Sequence, residues 1–428
     1  MQIHRFIHLL KKIAKPVLLV LYFLVGFRVI SRMPLGVVNE LLSISFLGLI
    51  SLIALADISS GVLKGRINYL LLIFAPLLIY PFINAWVAQE VFGQPYKFGI
   101  LSQRYHYYLL SGFAVIYVLR KNIITLQQLE QWFLRSMYLI LFIMYFFYIF
   151  INPAIFSGTE FVKLTGYKGW IYEFPNGVTA GLLIYSFIRF TKDKSVKNLP
   201  GLLLSLFFFI VYGQDRSQIS FIVLVALMFI VFHLPLNRVL IQLTTSILMI
   251  SLLVTILMLV SPDFISHYTE LFSNAFTIFT GEQTQEYSTN IRYVESEIAL
   301  KGFSENPWLG NGFLSSQWNE GYMQFYKYFY PADIGILGNL YVYGIVGTLF
   351  YYIPFIAAFT WMWRMRKTND AFLLTACYTL IFIFMDMQSA ANNIKFIGIQ
   401  AFFFGVIYYY RFYLQESVIK GMSHLKTS

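Results

Sequence analysis

The chain has 428 residues, 58% of them hydrophobic and only 12% charged, with a formal net charge of +11 and a mean hydropathy of +0.66. A soluble globular chain carries roughly a quarter charged residues, so this composition excludes a soluble fold and indicates an all-α polytopic membrane protein. The single cysteine, Cys377, excludes an intramolecular disulfide and a cysteine zinc site.

Apolar segments near 20 residues are membrane-helix candidates, because a helix rising ~1.5 Å per residue must cross a core about 30 Å thick. Twelve are predicted, near residues 14–30, 41–56, 68–88, 105–119, 133–151, 171–188, 199–213, 216–234, 239–260, 334–363, 370–386 and 394–411. The first has a basic start and no small-residue cleavage site, and is expected to be a retained helix. With the N-terminus placed in the cytoplasm, most lysines and arginines fall in inward-facing segments, as the positive-inside rule requires. Both termini are then expected in the cytoplasm, and the basic charge orients helices with no nucleic-acid partner. The whole of 1–428 reads as one integral membrane domain. Residues 261–332 form a long outward loop between spans nine and ten, the kind of loop that is usually functional.

Polar residues that could carry chemistry gather at the outward ends of the helices. In the sixth span, "IYEFPNGVTAGLL" places Pro175 and Asn176 inside an apolar run beside Glu173. Such a break persists in a membrane only where protein or a water-filled cavity satisfies the freed backbone groups. The turn between spans seven and eight, "GQDRSQ", carries Asp215 and Arg216. They read either as a local pair at the interface or as a functional site, the default for an ionisable residue between two spans.

In the long loop, "STNIRYVESEIAL" combines the capping types Ser288, Thr289 and Asn290 with Ile291, Val294 and Ile298 at helical spacing. It predicts an amphipathic helix carrying Arg292. The plain alternative there is a weak, exposed Arg292–Glu295 pair. The following "ENPWLGNGF" bends sharply through Pro307, Gly310 and Gly312, since glycine permits positive φ and close backbone approach. Next comes the aromatic run Tyr322, Phe325, Tyr326, Tyr328, Phe329 and Tyr330, which reads as an interfacial belt or as a stacking platform for sugar rings. Asp333 stands where span ten begins, as a helix cap or a reactive carboxylate. Gly335, Gly338, Gly344 and Gly347 behind it suit close helix contact.

Several familiar signatures are missing. The sequence holds no GxxxxGK[ST], HExxH or GxSxG, no DxD for a metal-bound nucleotide-sugar, and no clustered histidines, so neither a cofactor nor a metal site is expected.

The order of the remaining features resembles the O-antigen polymerase (Wzy-type) and O-antigen ligase superfamily of bacterial membrane glycosyltransferases. The matching positions are Arg216 in an outer turn, Arg292 opening a long outer loop, Pro307–Gly310–Gly312, and Asp333 eleven positions before the first glycine of Gly344–Ile345–Val346–Gly347. "PNGVTAGLL" resembles the family's Pro-Asn break. The resemblance implies a GT-C-like, metal-independent enzyme at the periplasmic face of the inner membrane, using glycans linked to undecaprenyl pyrophosphate. A flippase and a chain-length regulator are the partners it implies.

The pyrophosphate leaving group develops negative charge, which fixed arginines can stabilise through a planar fork of donors. Arg216, Arg292 and Asp333 are therefore the expected catalytic residues. Arg216, Arg292, Asn176, Gly310, Gly312, Tyr326 and Tyr330 are expected to line the substrate. Ligase members usually carry histidine at the position of Asp333, so the aspartate favours a polymerase joining lipid-linked repeat units over a ligase transferring glycan to lipid A–core. The product class, whether O-antigen of lipopolysaccharide, capsule or exopolysaccharide, stays open. A lipid-linked oligosaccharide flippase is the reading from another class, but it calls for ionisable residues lining a path within the spans. Here only Arg135 and Glu173 stand out, near span ends.

Overall fold

The computed structural model describes residues 17–30, 33, 35, 37–62, 69–159, 161–165, 169–174, 176–193, 196–213, 216–241, 244, 248, 251, 255, 287–389 and 396–414. In chain order the helices are α1 (Val17–Gly26), α2 (Val37–Val62), α3 (Tyr69–Phe92), α4 (Tyr96–Ser102), α5 (Ser111–Arg120), α6 (Leu126–Phe150), α7 (Asn176–Asp193), α8 (Leu199–Phe207) and α9 (Arg216–His233). After them come α10 (Tyr287–Glu305), α11 (Gly335–Arg364), α12 (Ala371–Ser389) and α13 (Ile397–Tyr409). A short antiparallel hairpin, β1 (Val162–Thr165) with β2 (Gly169–Tyr172), precedes α7.

Among the described residues, six helical segments are long and apolar enough to cross a membrane: Val37–Ser59, Tyr69–Phe92, Leu126–Phe150, Val196–Gly213, Pro331–Arg364 and Ala371–Gln388. Six of the twelve expected spans are thus of full length. Of the others, 105–119 divides into a 3-10 turn, Arg104–Leu110, and the ten-residue α5. Residues 171–188 begin as strand, so α7 starts only at Asn176. Most of 239–260 and residues 261–286, the first part of the expected long loop, lie outside the described residues, as does Pro175.

Local sequence explains the clearest boundary. Thr125 and Gln128 form a capping box at the start of α6, the threonine hydroxyl accepting from Gln128 N (3.1 Å) while Gln128 Oε1 accepts from Thr125 N (3.0 Å). The helix ends sort into two sets. One end collects Arg120 on Asp57 (2.8 Å), Arg189 on Glu130 (3.0 Å) and Lys192 on the Asn369 carbonyl (2.9 Å). The other collects the Gly93–Pro95 turn and the 306–334 segment, joined through Gln94. The core between the ends is aromatic: Phe23 of α1, Phe27 just after it, Phe133 of α6 and Phe402 of α13 meet with ring centroids 5.2–5.9 Å apart.

The defining local feature is a break in α11. Gly344 leaves the helix with φ 62° and ψ −170°, so this glycine is a backbone break rather than a smooth helix contact. Five of the groups it frees are met by other segments. The Tyr341, Val342 and Tyr343 carbonyls accept from Asn311 N (2.8 Å), Gly312 N (3.0 Å) and the Tyr80 hydroxyl (2.5 Å). Beyond the break, Ile345 N and Val346 N donate to the Pro307 (2.9 Å) and Trp308 (3.1 Å) carbonyls.

From α3, Asn84 clamps both partners. Its Nδ2 donates to the Val342 carbonyl (2.9 Å) and its Oδ1 accepts from Phe313 N (2.8 Å). The P-x-x-G-x-G loop and the G-x-x-G segment, separate motifs in the sequence, are therefore one backbone joint. Gly310 (φ 72°) and Gly312 (φ 84°) make it possible, the first against Gly344 and the second against Ala88. An apolar helix must have such groups satisfied internally, since each unpaired one costs several kcal/mol in hydrocarbon.

Gly344→Val should destabilise strongly. A Cβ there would lie 2.4 Å from both Gly310 N and the Trp308 carbonyl oxygen. Strain at the positive φ adds about 1–3 kcal/mol, and overpacking adds a similar amount, about 1–3 kcal/mol. Gly48→Ala, where a Cβ meets nothing within 4 Å, should be neutral or stabilising by up to about 1 kcal/mol. Asn84→Leu should cost about 1–3 kcal/mol for each buried group it leaves unpaired. Thermal unfolding of the detergent-solubilised protein ranks all three, and a Gly344→Val protein as stable as wild type would contradict the joint.

Candidate functional site

The expected amphipathic helix in the long loop is α10, but its buried face differs from the one read from Ile291, Val294 and Ile298. Val294 is exposed, while Glu295, Ala299 and Gly302 are buried, a stripe at i, i+4 and i+7. Ser288, Thr289 and Asn290 sit within the first turn, because the helix starts at Tyr287. The stripe packs on the start of α11. Gly302 admits the Tyr341 ring, and its carbonyl accepts from Asn311 Nδ2 (3.0 Å). Asn311 is itself held by Asn306 Nδ2 (2.8 Å) on its Oδ1. The break in α11 thus fixes both the loop and the helix before it.

At the other end of this stripe is a carboxylate that the sequence reading placed in an exposed pair. Glu295 is only 1% exposed, and its Oε1 accepts from Tyr330 N (2.8 Å). Arg292 is exposed and contributes to the field at Glu295 without being one of the contact ion pairs among the described residues.

Tyr330 leads into the 3-10 turn Pro331–Ile334, which carries Asp333. Asp333 is half-buried, and its N–H donates to the Tyr330 carbonyl (2.9 Å). It does not cap α11: the capping position is Ile334, with no side-chain cap bond. Arg292, Glu295 and Asp333 therefore share one neighbourhood, where the α10 helix meets the 331–334 turn.

Burial pushes the Glu295 carboxyl above its ordinary value. The Tyr330 N–H opposes that shift, Asp333 adds to it, and Arg292 opposes it. The folded protein binds this proton more tightly than the unfolded chain. Its stabilising effect is therefore full below the ordinary carboxylate range and is lost as pH rises through the raised value.

The aromatic run divides by environment. Tyr322 and Phe329 are buried against Tyr341, with centroids 5.9 and 4.7 Å away. The Tyr322 hydroxyl donates to the Gly312 carbonyl (2.6 Å) and ties the run to the glycine loop. Tyr326 is half-buried, with its hydroxyl 3.1 Å from that of Tyr341. Phe325, Tyr328 and Tyr330 are exposed, and the Tyr330 hydroxyl rests on Met323 Sδ (2.8 Å). Tyr330 thus lies beside the Glu295–Asp333 neighbourhood, while Tyr326 meets Tyr341 farther along the run.

Two expected positions are located by backbone alone. Asn176 opens α7 and Arg216 opens α9, directly after the π-helical Phe208–Gly213. The side chains of both, together with Gln214 and Asp215, lie outside the described residues, as therefore does the expected Asp215–Arg216 pair. Elsewhere, Arg28 stacks over Tyr105 (3.7 Å) and Arg104 pairs with Glu40 (2.6 Å).

The positioning residues that the sequence reading passed over are Tyr80, Asn84, Gln94, Asn311 and Glu295. The first two had a legible signal: polar groups four residues apart, on one face of an otherwise apolar span.

No curated protein matches the chain. Residues 201–352 match a family model described as O-Antigen ligase. That stretch runs from α8 into α11 and contains Arg216, Arg292, the Pro307–Gly312 loop, Asp333 and the Gly344 break. Over residues 201–352 the chain is thus similar to the O-antigen ligase family, a match consistent with the O-antigen polymerase and ligase superfamily of glycosyltransferase-like enzymes.

Proposed function

We propose that this protein is a polysaccharide repeat-unit polymerase at the periplasmic face of a bacterial inner membrane. It transfers a glycan from undecaprenyl pyrophosphate to a second lipid-linked repeat unit. The observation that carries this reading is the convergence of Arg292 and Asp333 across the α10–turn junction, inside the region that matches the family. Arg292 is exposed and able to meet a phosphate, while Asp333 is half-buried on the adjoining turn.

Each residue has a distinct task in this proposal. As the anomeric C–O bond breaks, charge accumulates on the pyrophosphate, and Arg292 with Arg216 neutralises it through charge-assisted hydrogen bonds. Asp333 accepts the proton of the attacking acceptor hydroxyl. Tyr330 offers a ring face beside that carboxylate for a sugar, and Tyr326 one farther along the run. Gly310, Gly312 and Asn176 shape the substrate-lining backbone. An aspartate in place of the histidine usual in ligases favours the polymerase over transfer to lipid A–core.

Arg216→Ala and Arg292→Ala should each lower chain growth by roughly a hundredfold or more with protein levels unchanged, as read from glycan banding and immunoblot. Full polymerisation by either variant would remove its clamp role. Asp333→Asn should slow transfer by roughly 10²–10⁴ in a purified assay, and a wild-type rate would end the base assignment. A deletion strain should retain single repeats on the final acceptor. Polymer stranded on the carrier lipid would instead identify a ligase.

A further inference from the structure

The expected site residues account for Arg292 and Asp333 but not for the buried acid between them. Glu295 is 1% exposed, on a helix whose other charged side chains, Arg292, Glu297, Lys301 and Glu305, are all exposed. Burying a carboxyl is costly unless it does specific work. One of its oxygens has such work, accepting the Tyr330 backbone N–H at 2.8 Å. The other, Oε2, is buried with no hydrogen-bond partner.

Tyr330 is the last residue before the turn bearing Asp333, and the Asp333 N–H closes back onto the Tyr330 carbonyl. The Glu295 bond is a direct polar tether between the helix that carries Arg292 and the turn that carries Asp333. Phe329, next in the chain, is anchored by burial against Tyr341. The tether therefore sets the orientation of the turn on an already fixed foundation.

We propose that Glu295 is a positioning residue, fastening the Tyr330–Asp333 turn to α10 so that Arg292 and Asp333 face one substrate. The structural half of this proposal stands alone, while its kinetic half rests on the glycosyl-transfer reading above. Burial favours the neutral acid at Glu295. Glutamine is the near-isostere of that form and keeps an oxygen for the Tyr330 N–H. Alanine keeps neither shape nor acceptor.

The test compares wild type, Glu295→Gln and Glu295→Ala, each purified in detergent and checked for monodispersity. Amide hydrogen exchange at Tyr330 should accelerate about tenfold or more in the alanine variant, the equivalent of one net hydrogen bond, and stay within about threefold in the glutamine variant. In transfer assays kcat should fall at least about tenfold in the alanine variant, with donor KM changing less, and the glutamine variant should restore most of it. Unchanged Tyr330 exchange in Glu295→Ala would overturn the tether. A glutamine variant that keeps Tyr330 protected yet is as slow as alanine would overturn the positioning role, because the charge and not the fastening would then matter. If wild type transfers no glycan, the functional reading fails, and the exchange data decide the tether by themselves.

Discussion

The architecture at this end of the molecule depends on one interruption, the departure of α11 from helical geometry at Gly344. A helix break in an apolar span is tolerable only when its freed donors and acceptors find partners. Here five of them are taken up by backbone of the 307–312 segment and by Tyr80. The loop cannot move without unpairing α11, and α11 cannot straighten without expelling the loop. Tyr80 and Asn84 make α3 the third member of this arrangement.

This interdependence explains what the sequence could and could not reveal. Membrane character, the approximate positions of the long spans and the helix in the long loop were all legible, because hydropathy and 3.6-residue periodicity act locally. Gly310, Gly312 and Gly344 were legible as permissive positions but not as partners, because their pairing is made across more than thirty residues of chain. Val294 illustrates a different limit. Its spacing suits a core face, yet the helix is rotated so that Glu295 is buried instead. What decides the rotation is the Tyr330 N–H waiting at one end and Tyr341 at the other, neither of which is visible in the pattern of α10 itself.

The candidate site has a corresponding division of labour. Residues that could touch a substrate, such as Arg292 and Tyr330, are exposed and weakly constrained by packing, whereas those that place them are buried and multiply bonded. A rigid frame carrying accessible polar groups is the arrangement expected where geometry must be held to fractions of an ångström for group transfer. The exposed tyrosines fit this pattern, since Tyr322 and Phe329 of the same run are spent on the frame.

The pairing of Pro307 with Ile345 also gives meaning to a spacing. Twelve positions separate Glu295 from Pro307, and twelve separate Asp333 from Ile345. Helix α10 and the first half of α11 run side by side in the same direction, since Glu295 meets Tyr330, Gly302 meets Tyr341 and Pro307 meets Ile345. From contact to contact, one side runs twelve positions from Glu295 to Pro307 and the other fifteen from Tyr330 to Ile345, and the two are pinned together at the glycine joint. A residue inserted or removed between these contacts on either side would take the pinned ends out of register.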